Sequence, residues 1–196
     1  MPYLYLIRHP HTRVDPARQP HEWDLSDLGL EQVKALSKAP FWTCVRGLYA
    51  SPQPKALIPA KIFGSEYGLP VTAMPELAEI GRGPAGYISA ADYHALLQRF
   101  FSEPNARIAG WEQSQSALDR FHSAVQKIIG KPPNQSVAIL SHGTILTLYT
   151  AMLDNAQPTL ERWRAIDFAA VSVVDLKTMQ RVTNFVTDPY DSVPIG

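Results

Sequence analysis

The chain has 196 residues, of which 45% are hydrophobic and 18% are charged. This length and composition indicate a globular protein with a substantial core, and they predict a single domain over residues 1–196. The 18 lysines and arginines balance the 18 aspartates and glutamates, which argues against nucleic acid or an anionic membrane surface as the main partner, because both favour a basic face.

The first part of the chain predicts a strand followed by a helix. Residues 3–7 form a continuous apolar run, typical of a strand buried on both faces of a parallel sheet. A polar, proline-containing loop over 10–24 follows. Ser26 then provides an N-cap for a helix of about a dozen residues. The apolar side of this helix is expected to contain Leu30, Val33 and Leu36.

The middle of the chain continues the alternation. A short second strand is predicted over 47–50, and the apolar spacing over 56–67 is that of a helix. An extended segment around Val71 precedes a stretch rich in glycine and proline over 81–86. A helix then begins near Ser89, whose spacing to Asp92 resembles a capping box, and apolar residues follow at the helical period through 93–101.

The last third of the chain adds a long helix near 113–129, a buried strand over 136–140 and a helix over 145–153. Two further strands are predicted over 169–176 and 181–186. Strands that alternate with helices imply a mostly parallel sheet covered by helices on both faces. The predicted fold is therefore a three-layer α/β/α sandwich.

Two histidine motifs follow buried strands: Arg-His-Pro-His-Thr at 8–12 and Ser-His-Gly at 141–143. Ligands of such sheets bind beyond the carboxyl ends of the strands, so the two motifs are expected at the same edge. An arginine can hold phosphate oxygens bidentately. One imidazole can attack phosphorus while the other stabilises the charge.

These motifs resemble those of the histidine phosphatase superfamily, in the order in which that family carries them. Residues 8–12 are similar to its Arg-His-Gly-x-Ser/Thr signature, except at the glycine. Further resemblances lie at 25–32 (Leu-Ser-Asp-Leu-Gly-Leu-Glu-Gln), 51–56 (Ser-Pro-Gln-Pro-Lys-Ala), 77–79 (Leu-Ala-Glu) and 141–143. Together they span roughly residues 3 to 176, which is nearly the whole chain.

The resemblance implies a phosphoglycerate mutase-like fold and a phosphomonoesterase that needs neither a metal nor another cofactor. It assigns His9 as the nucleophile that becomes phosphohistidine, and Glu79 as the general acid that then serves as the base. The residues that it assigns to the phosphoryl oxygens are Arg8, Thr12, Lys55 and His142.

Three residues depart from the family pattern. Pro10 replaces the usual glycine and removes a backbone N–H that could contact phosphate. Lys55 stands where the family has a second arginine, so it keeps the charge and loses the planar fork. Pro59 cannot donate to the carbonyl of Lys55, so the helix is expected to start late or to bend there, and Lys55 could then point away from the site.

Residues near these motifs carry weaker signals. His11 lies either at the mouth of the site or on a surface loop, and Arg82 either meets the substrate or is a solvated loop residue. Glu112 and Arg120 are expected to form a structural contact. The expectation for the large aromatic residues is that they pack in the core and do not stack on a ligand; these are Trp111, Trp163 and Phe168.

Two other functional classes stay open. His9-x-His11 with His142 could bind zinc as in a metal hydrolase, although Arg8 would repel the cation. A non-catalytic member of the family could bind a phosphorylated ligand without turnover, as the three departures suggest. A mutase is less favoured, because the family's mutases usually carry longer insertions around the acid.

The expected partner is a small phosphorylated substrate, and a homodimer is an open alternative. Sugar phosphates, ribazole phosphate and phosphohistidine proteins are all compatible with the motifs. The single cysteine, Cys44, allows no intramolecular disulfide. The apolar run over 3–7 is too short for a signal segment or a membrane span, so a cytoplasmic protein is expected.

Overall fold

The computed structural model describes residues 1–83, 86–130 and 135–196. In this part of the chain, strands form one sheet in the order β3-β2-β4-β1-β5, and only β5 runs antiparallel to its neighbour. The strands are β1 (Tyr3–Arg8), β2 (Val45–Ala50), β3 (Val71–Ala73), β4 (Ser136–Ser141) and β5 (Val171–Asp175).

Helices cover both faces of the sheet, because alternate side chains of the central strands point to opposite sides. In β1, Leu4 and Leu6 belong to one buried cluster, whereas Tyr5 and Ile7 belong to the other. The helices on the Tyr5 side are α1 (Asp27–Leu36) and α2 (Pro54–Tyr67), and those on the Leu4 side are α3 (Ala90–Ser102), α4 (Ser114–Ile129) and α5 (Gly143–Leu153). The predicted three-layer α/β/α fold is thus confirmed. A short helix, α6 (Leu160–Arg164), precedes β5.

The register of the central strands brings the two histidine motifs together. Strands β1 and β4 are parallel neighbours, with Arg8 opposite Ser141. The backbone N–H of His9 donates to the Ser141 carbonyl at 2.9 Å. Because parallel strands end at the same edge, the residues that follow β1 and β4 must emerge side by side.

Two predicted helix starts are confirmed by their caps. The Ser26 hydroxyl accepts a hydrogen bond from the backbone of Gly29, and the Ser89 hydroxyl accepts one from that of Asp92. The expected place of Leu30 in the apolar side of α1 is wrong, because its side chain is 45% exposed. The buried residues of α1 are Gly29, Val33 and Leu36.

The strand predicted over 181–186 is also wrong. The segment forms only isolated bridges to β5, at Arg181 and at Val186. Between them, the hydroxyl of Thr183 accepts the N–H of Val173 at 3.0 Å, a role that a backbone carbonyl would have in a regular ladder. A side-chain oxygen therefore replaces a backbone carbonyl as the acceptor, and regular backbone pairing with β5 is interrupted at this position.

Pro59 does not delay the start of α2. The helix begins at Pro54 and contains Pro59 as a buried residue, so the alternative of a late start is wrong. The predicted loop over 10–24 contains one 3₁₀ turn, Pro20–Glu22. Positions 84 and 85 of the glycine- and proline-rich stretch lie outside the described residues. No helix in the described ranges is long and apolar enough to cross a membrane.

Candidate active site

The residues that follow β1 and β4 form a compact site at the carboxyl edge of the sheet. The ring centres of His9 and His142 lie 5.1 Å apart, and both side chains are buried. A cavity of about 360 Å³ opens in front of His9. Its lining includes the other predicted site residues apart from His142, namely Arg8, Thr12, Lys55 and Glu79.

The imidazole of His9 is held in a single tautomer. Its Nδ1 atom lies 2.8 Å from the carbonyl oxygen of Pro10. Because a carbonyl only accepts, Nδ1 carries the proton and Nε2 keeps its lone pair in the neutral ring. Burial, followed by the positive charges of Lys55 and Arg8, holds the pKa of His9 well below its usual range. Pro10 therefore removes one N–H donor, but its carbonyl orients the predicted nucleophile.

His142 lies fully buried beside His9. Burial and the neighbouring His9 lower its pKa well below the usual value, so this ring is also neutral. Neither of its ring nitrogens has a hydrogen-bond partner among the described residues. A buried polar group without a partner is rare and commonly has a functional reason, and here a ligand bound against His9 could supply the partner.

Arg8 is a largely buried cation held between aromatic rings. Its guanidinium carbon lies 4.1 Å from the ring centre of Phe168 and 5.7 Å from that of Trp163. One amino group donates to the carbonyl of Ile166. A side chain at Gly143 would place its Cβ 3.2 Å from this guanidinium, so the glycine of the Ser-His-Gly motif keeps the space for Arg8.

Lys55 faces the cavity despite Pro59. Its side chain is only 5% exposed, and its ammonium donates to the carbonyl of Pro20 at 2.8 Å. Burial, together with the charge of Arg82, lowers the pKa of Lys55 to about 8. In the described part of the chain, no carboxylate forms an ion pair with Lys55 or Arg8. The charge of Glu79 raises the pKa of both groups, but two cations largely removed from water without a direct ion pair are still costly unless an anion binds to them.

Glu79 is fixed by a helix start. Its carboxylate accepts hydrogen bonds from the backbone N–H groups of Thr144 and Ile145, both at 3.0 Å. Glu79 thus caps the N-terminus of α5, where the helix dipole favours a negative charge, and it lines the cavity at the same time. The Oε1 atom also accepts the N–H of Ile80 at 3.0 Å, so only Oε2 keeps a second lone pair for proton transfer. The sequence motif contains no sign of this capping contact.

The loop that carries Glu79 is anchored by Arg120. This arginine donates to the carbonyls of Glu76 at 2.6 Å and Ala78 at 3.1 Å. It also forms two hydrogen bonds with Glu112, at 3.0 and 2.9 Å. The expected structural contact between Glu112 and Arg120 is present. Through it, Arg120 fixes the backbone on either side of Leu77, just before the predicted acid.

The motif at the start of α1 supports the loop after His9. The Gln32 side-chain oxygen accepts the N–H of His11 at 2.7 Å, and the Ser26 hydroxyl lies 2.7 Å from Nδ1 of His11. A Cβ at Gly29 would lie 2.1 Å from the His11 carbonyl oxygen, so only glycine fits there. His11 is a structural residue of this loop and is not part of the cavity lining.

Two of the three aromatic residues assigned to packing also line the cavity. Trp163 and Phe168 are only partly buried and belong to the lining, and Trp163 packs against the core as well. Trp111 is fully buried as expected, and the preference for packing over ligand stacking stays a prediction. Arg82 also lines the cavity, with its guanidinium carbon 4.4 Å from the ring centre of Tyr93. Sequence spacing could not reveal these residues, because they come from loops and helices far apart in the chain.

The donor set for a metal is poor. Within residues 1–83, 86–130 and 135–196, no three His, Cys, Asp or Glu side chains are grouped as a metal site would require. Nδ1 of His11 contacts Ser26. The His9-x-His11 pair therefore offers no converging ligands for zinc, which needs at least three protein ligands in its catalytic sites.

Comparisons with known proteins agree with this fold. The family model of the Histidine phosphatase superfamily (branch 1) matches residues 4–189. No match is found among curated proteins.

Several solved structures are similar. The alpha-ribazole phosphatase from Shigella flexneri has a TM-score of 0.76 and 22% identity, with 99% of this chain and 98% of that chain covered. A phosphoserine phosphatase mutant from Entamoeba histolytica, in complex with phosphoserine, has a TM-score of 0.76 and 17% identity, with coverages of 94% and 96%. The mycobacterial glucosyl-3-phosphoglycerate phosphatase with inorganic phosphate has a TM-score of 0.75 and 18% identity, with coverages of 96% and 99%.

Proposed function

The chain belongs to the histidine phosphatase superfamily (branch 1), and from this premise we propose that it is a phosphomonoesterase that acts through a phosphohistidine on His9. One observation carries the proposal: a buried, neutral histidine lies beside the buried Lys55 and the largely buried Arg8, and neither cation forms an ion pair with a carboxylate in the described part of the chain. A dianionic phosphoryl group would supply the missing negative charge.

The proposed reaction has two steps. In the first, Nε2 of His9 forms a bond to phosphorus while the bond from phosphorus to the ester oxygen breaks, and Glu79 gives a proton to the leaving oxygen. In the second, Glu79 takes a proton from a water molecule that attacks phosphorus, and the bond to His9 breaks. Phosphate and the regenerated histidine are the products.

The charges of the site suit this reaction. Phosphoryl transfer proceeds through a loose transition state whose oxygens carry most of the charge, so positioned cations contribute more than covalent help. We assign Arg8, Lys55, His142 and the Thr12 hydroxyl to these oxygens. His142 is neutral, so it would act as a hydrogen-bond donor. Because these side chains supply the positive charge and the hydrogen bonds, we propose that the reaction needs no metal ion.

The substrate is a small phosphorylated molecule. The names of the similar structures include ribazole phosphatase, phosphoserine phosphatase and glucosyl-3-phosphoglycerate phosphatase. Because these identities are low, they support the class of phosphate monoesters and do not select one ester for this chain.

Covalent trapping tests the proposal. The protein is treated with a strong chelator, mixed briefly with p-nitrophenyl phosphate and quenched in alkali, in which phosphohistidine is stable. We expect acid-labile phosphate on the peptide that contains His9. The variant His9→Asn can still donate to the Pro10 carbonyl but has no nucleophilic nitrogen, so it should give neither turnover nor label. His122→Gln, which alters a histidine of α4 outside the cavity, is the control and should behave like wild type.

A second candidate is a protein that binds a phosphorylated ligand without turnover. The two hydrogen bonds from α5 to Glu79 favour it, since they occupy both oxygens of the proposed acid. The same experiment separates the two. Tight binding of inorganic phosphate with no turnover and no label on His9 would support a binding protein, and activity that disappears with the chelator would contradict a metal-free reaction.

A further inference from the structure

A wall of aromatic rings extends from His9 along the cavity. The ring of Phe168 lies 5.6 Å from that of His9, and Phe168 and Trp163 both contact Arg8. The wall continues from Trp163 to Tyr93 and His94, whose ring centres lie 5.8 and 5.5 Å from that of the indole. All five residues line the same cavity.

Most of the remaining cavity lining is apolar or aromatic. The charged residues are those already described: Arg8, Lys55, Glu79 and Arg82. The other residues that complete the lining are largely apolar or aromatic and include Val14, Trp23, Tyr87, Ile88 and Ala90.

Such a lining determines which alcohol a bound ester can carry. A sugar or a polyol would bring several hydroxyl groups against apolar surface, and each one that loses water without a new partner weakens binding. A flat apolar ring loses nothing of this kind and can stack on the aromatic wall.

We propose that this chain selects phosphate monoesters whose alcohol part is an uncharged aromatic system of one or two rings, and that it discriminates against sugar phosphates. This inference rests on the proposed phosphatase function and names its substrate class. The cavity volume of about 360 Å³ is near the lower end of the usual range for ligand pockets, so it suits a small ring system better than a nucleotide-sized ligand.

The preference can be given a magnitude. If the cavity covers about 110 Å² of ring surface, the apolar contribution corresponds to about a hundredfold. We therefore expect kcat/KM for 2-naphthylmethyl phosphate to exceed that for glucose 6-phosphate by about a hundredfold. Both are esters of alkyl alcohols, so the comparison does not depend on the reactive leaving group of an aryl phosphate.

Two exposed residues of the lining allow a matched test. Val14 is 51% exposed and Tyr87 is 50% exposed, and neither is assigned to the phosphoryl group. The double variant Val14→Ser/Tyr87→Ser should lower kcat/KM for the naphthylmethyl ester about tenfold more than that for glucose 6-phosphate. Val182 has a similar exposure of 48% and is not part of the lining, so Val182→Ser should change neither value.

Binding of phosphonates separates this inference from the proposed function. If no ester is hydrolysed, the phosphatase proposal fails, and the ring preference is still measured by titrating the protein with 2-naphthylmethylphosphonate and with methylphosphonate. About a hundredfold tighter binding of the naphthyl compound supports the inference. Equal binding of the two phosphonates, or kcat/KM values for the naphthyl ester no higher than those for glucose 6-phosphate, overturns it.

Discussion

Replacement of Lys55 by methionine is expected to stabilise the protein while it weakens the site. Lys55 is 5% exposed, and burial is the main cause that lowers its pKa from 10.5 to about 8. Methionine has a similar length and no charge, so it fills the same space without the cost of a buried ammonium. The variant removes a group that we assign to phosphate binding and that opposes folding.

The size of the effect follows from the shift in pKa. Each pKa unit corresponds to about 1.36 kcal/mol, so the charged ammonium destabilises the native state by about 3 kcal/mol at pH 7. The variant also loses the hydrogen bond to the Pro20 carbonyl, which costs about 1 kcal/mol. The net gain in the free energy of unfolding is about 2 kcal/mol, which raises Tm by about 4–8 °C in a chain of this size.

The gain in the free energy of unfolding from Lys55→Met should decrease as the pH rises above 8. Between pH 8 and 10.5 the unfolded chain keeps the Lys55 proton that the native state has lost, so the stability of the wild type rises with pH across this window. The advantage of Lys55→Met is therefore full below pH 8 and decreases above it. Near pH 10.5 only the lost hydrogen bond to Pro20 remains, and the variant should be about 1 kcal/mol less stable than wild type.

Calorimetric melting at pH 7 and pH 10 in a phosphate-free buffer tests this reasoning. Lys61→Met is the control, because Lys61 lies in the same helix and is exposed, and it should change Tm little at either pH. Phosphatase activity of Lys55→Met should fall about tenfold or more, equivalent to about 1.4 kcal/mol. A variant that is less stable than wild type at pH 7, or whose advantage is the same at both pH values, would refute the argument.

Three further predictions concern the same site. Glu79→Gln should slow esters of alkyl alcohols at least tenfold more than p-nitrophenyl phosphate, since good leaving groups need little protonation; equal losses would contradict the acid role. Gly29→Ala places a Cβ 2.1 Å from the His11 carbonyl oxygen and should reduce the free energy of unfolding by about 2 kcal/mol in denaturant titrations, whereas an unchanged midpoint would show that the loop adjusts freely. Lys55→Arg should raise activity and keep it above pH 8, where the wild type loses its charge; parallel pH profiles would count against Lys55 as the titrating group. Lys55→Ala, measured beside it, should lose about tenfold.

The parts of the site that could be predicted from sequence are those encoded by local patterns. A buried apolar run, an Arg-His pair directly after it and a second such run before Ser141 are sufficient to place His9 and His142 at one edge, because parallel strands end together. The helix caps at Ser26 and Ser89 follow the same logic, since a cap involves residues three positions apart.

Contacts between distant segments had no local pattern. Glu79 accepts hydrogen bonds from backbone N–H groups 65 and 66 positions further along the chain. Every residue except proline has such a group, so the sequence does not show which of them will bind Glu79. The aromatic wall combines α3, α6 and the loop before β5, so the periodicity of no single element reveals it. Leu30 was assigned to the core by spacing alone, whereas the tight approach of the His11 loop to Gly29 determines which side of α1 is covered.

The residues that support the site and the cations that line it have opposite effects on the free energy of folding. Ser26, Gln32 and Arg120 satisfy backbone groups and stabilise the loops that carry His9 and Glu79. Arg8 and Lys55 are largely removed from water without a direct ion pair in the described residues, and this desolvation opposes folding, although the nearby charge of Glu79 offsets part of it. If these cations hold a phosphoryl group as we propose, they are fixed before it arrives, so little reorganisation would remain when it binds. Stability is thus lower in the free protein than its packing alone would give, and binding of the proposed phosphoryl group would recover part of the difference.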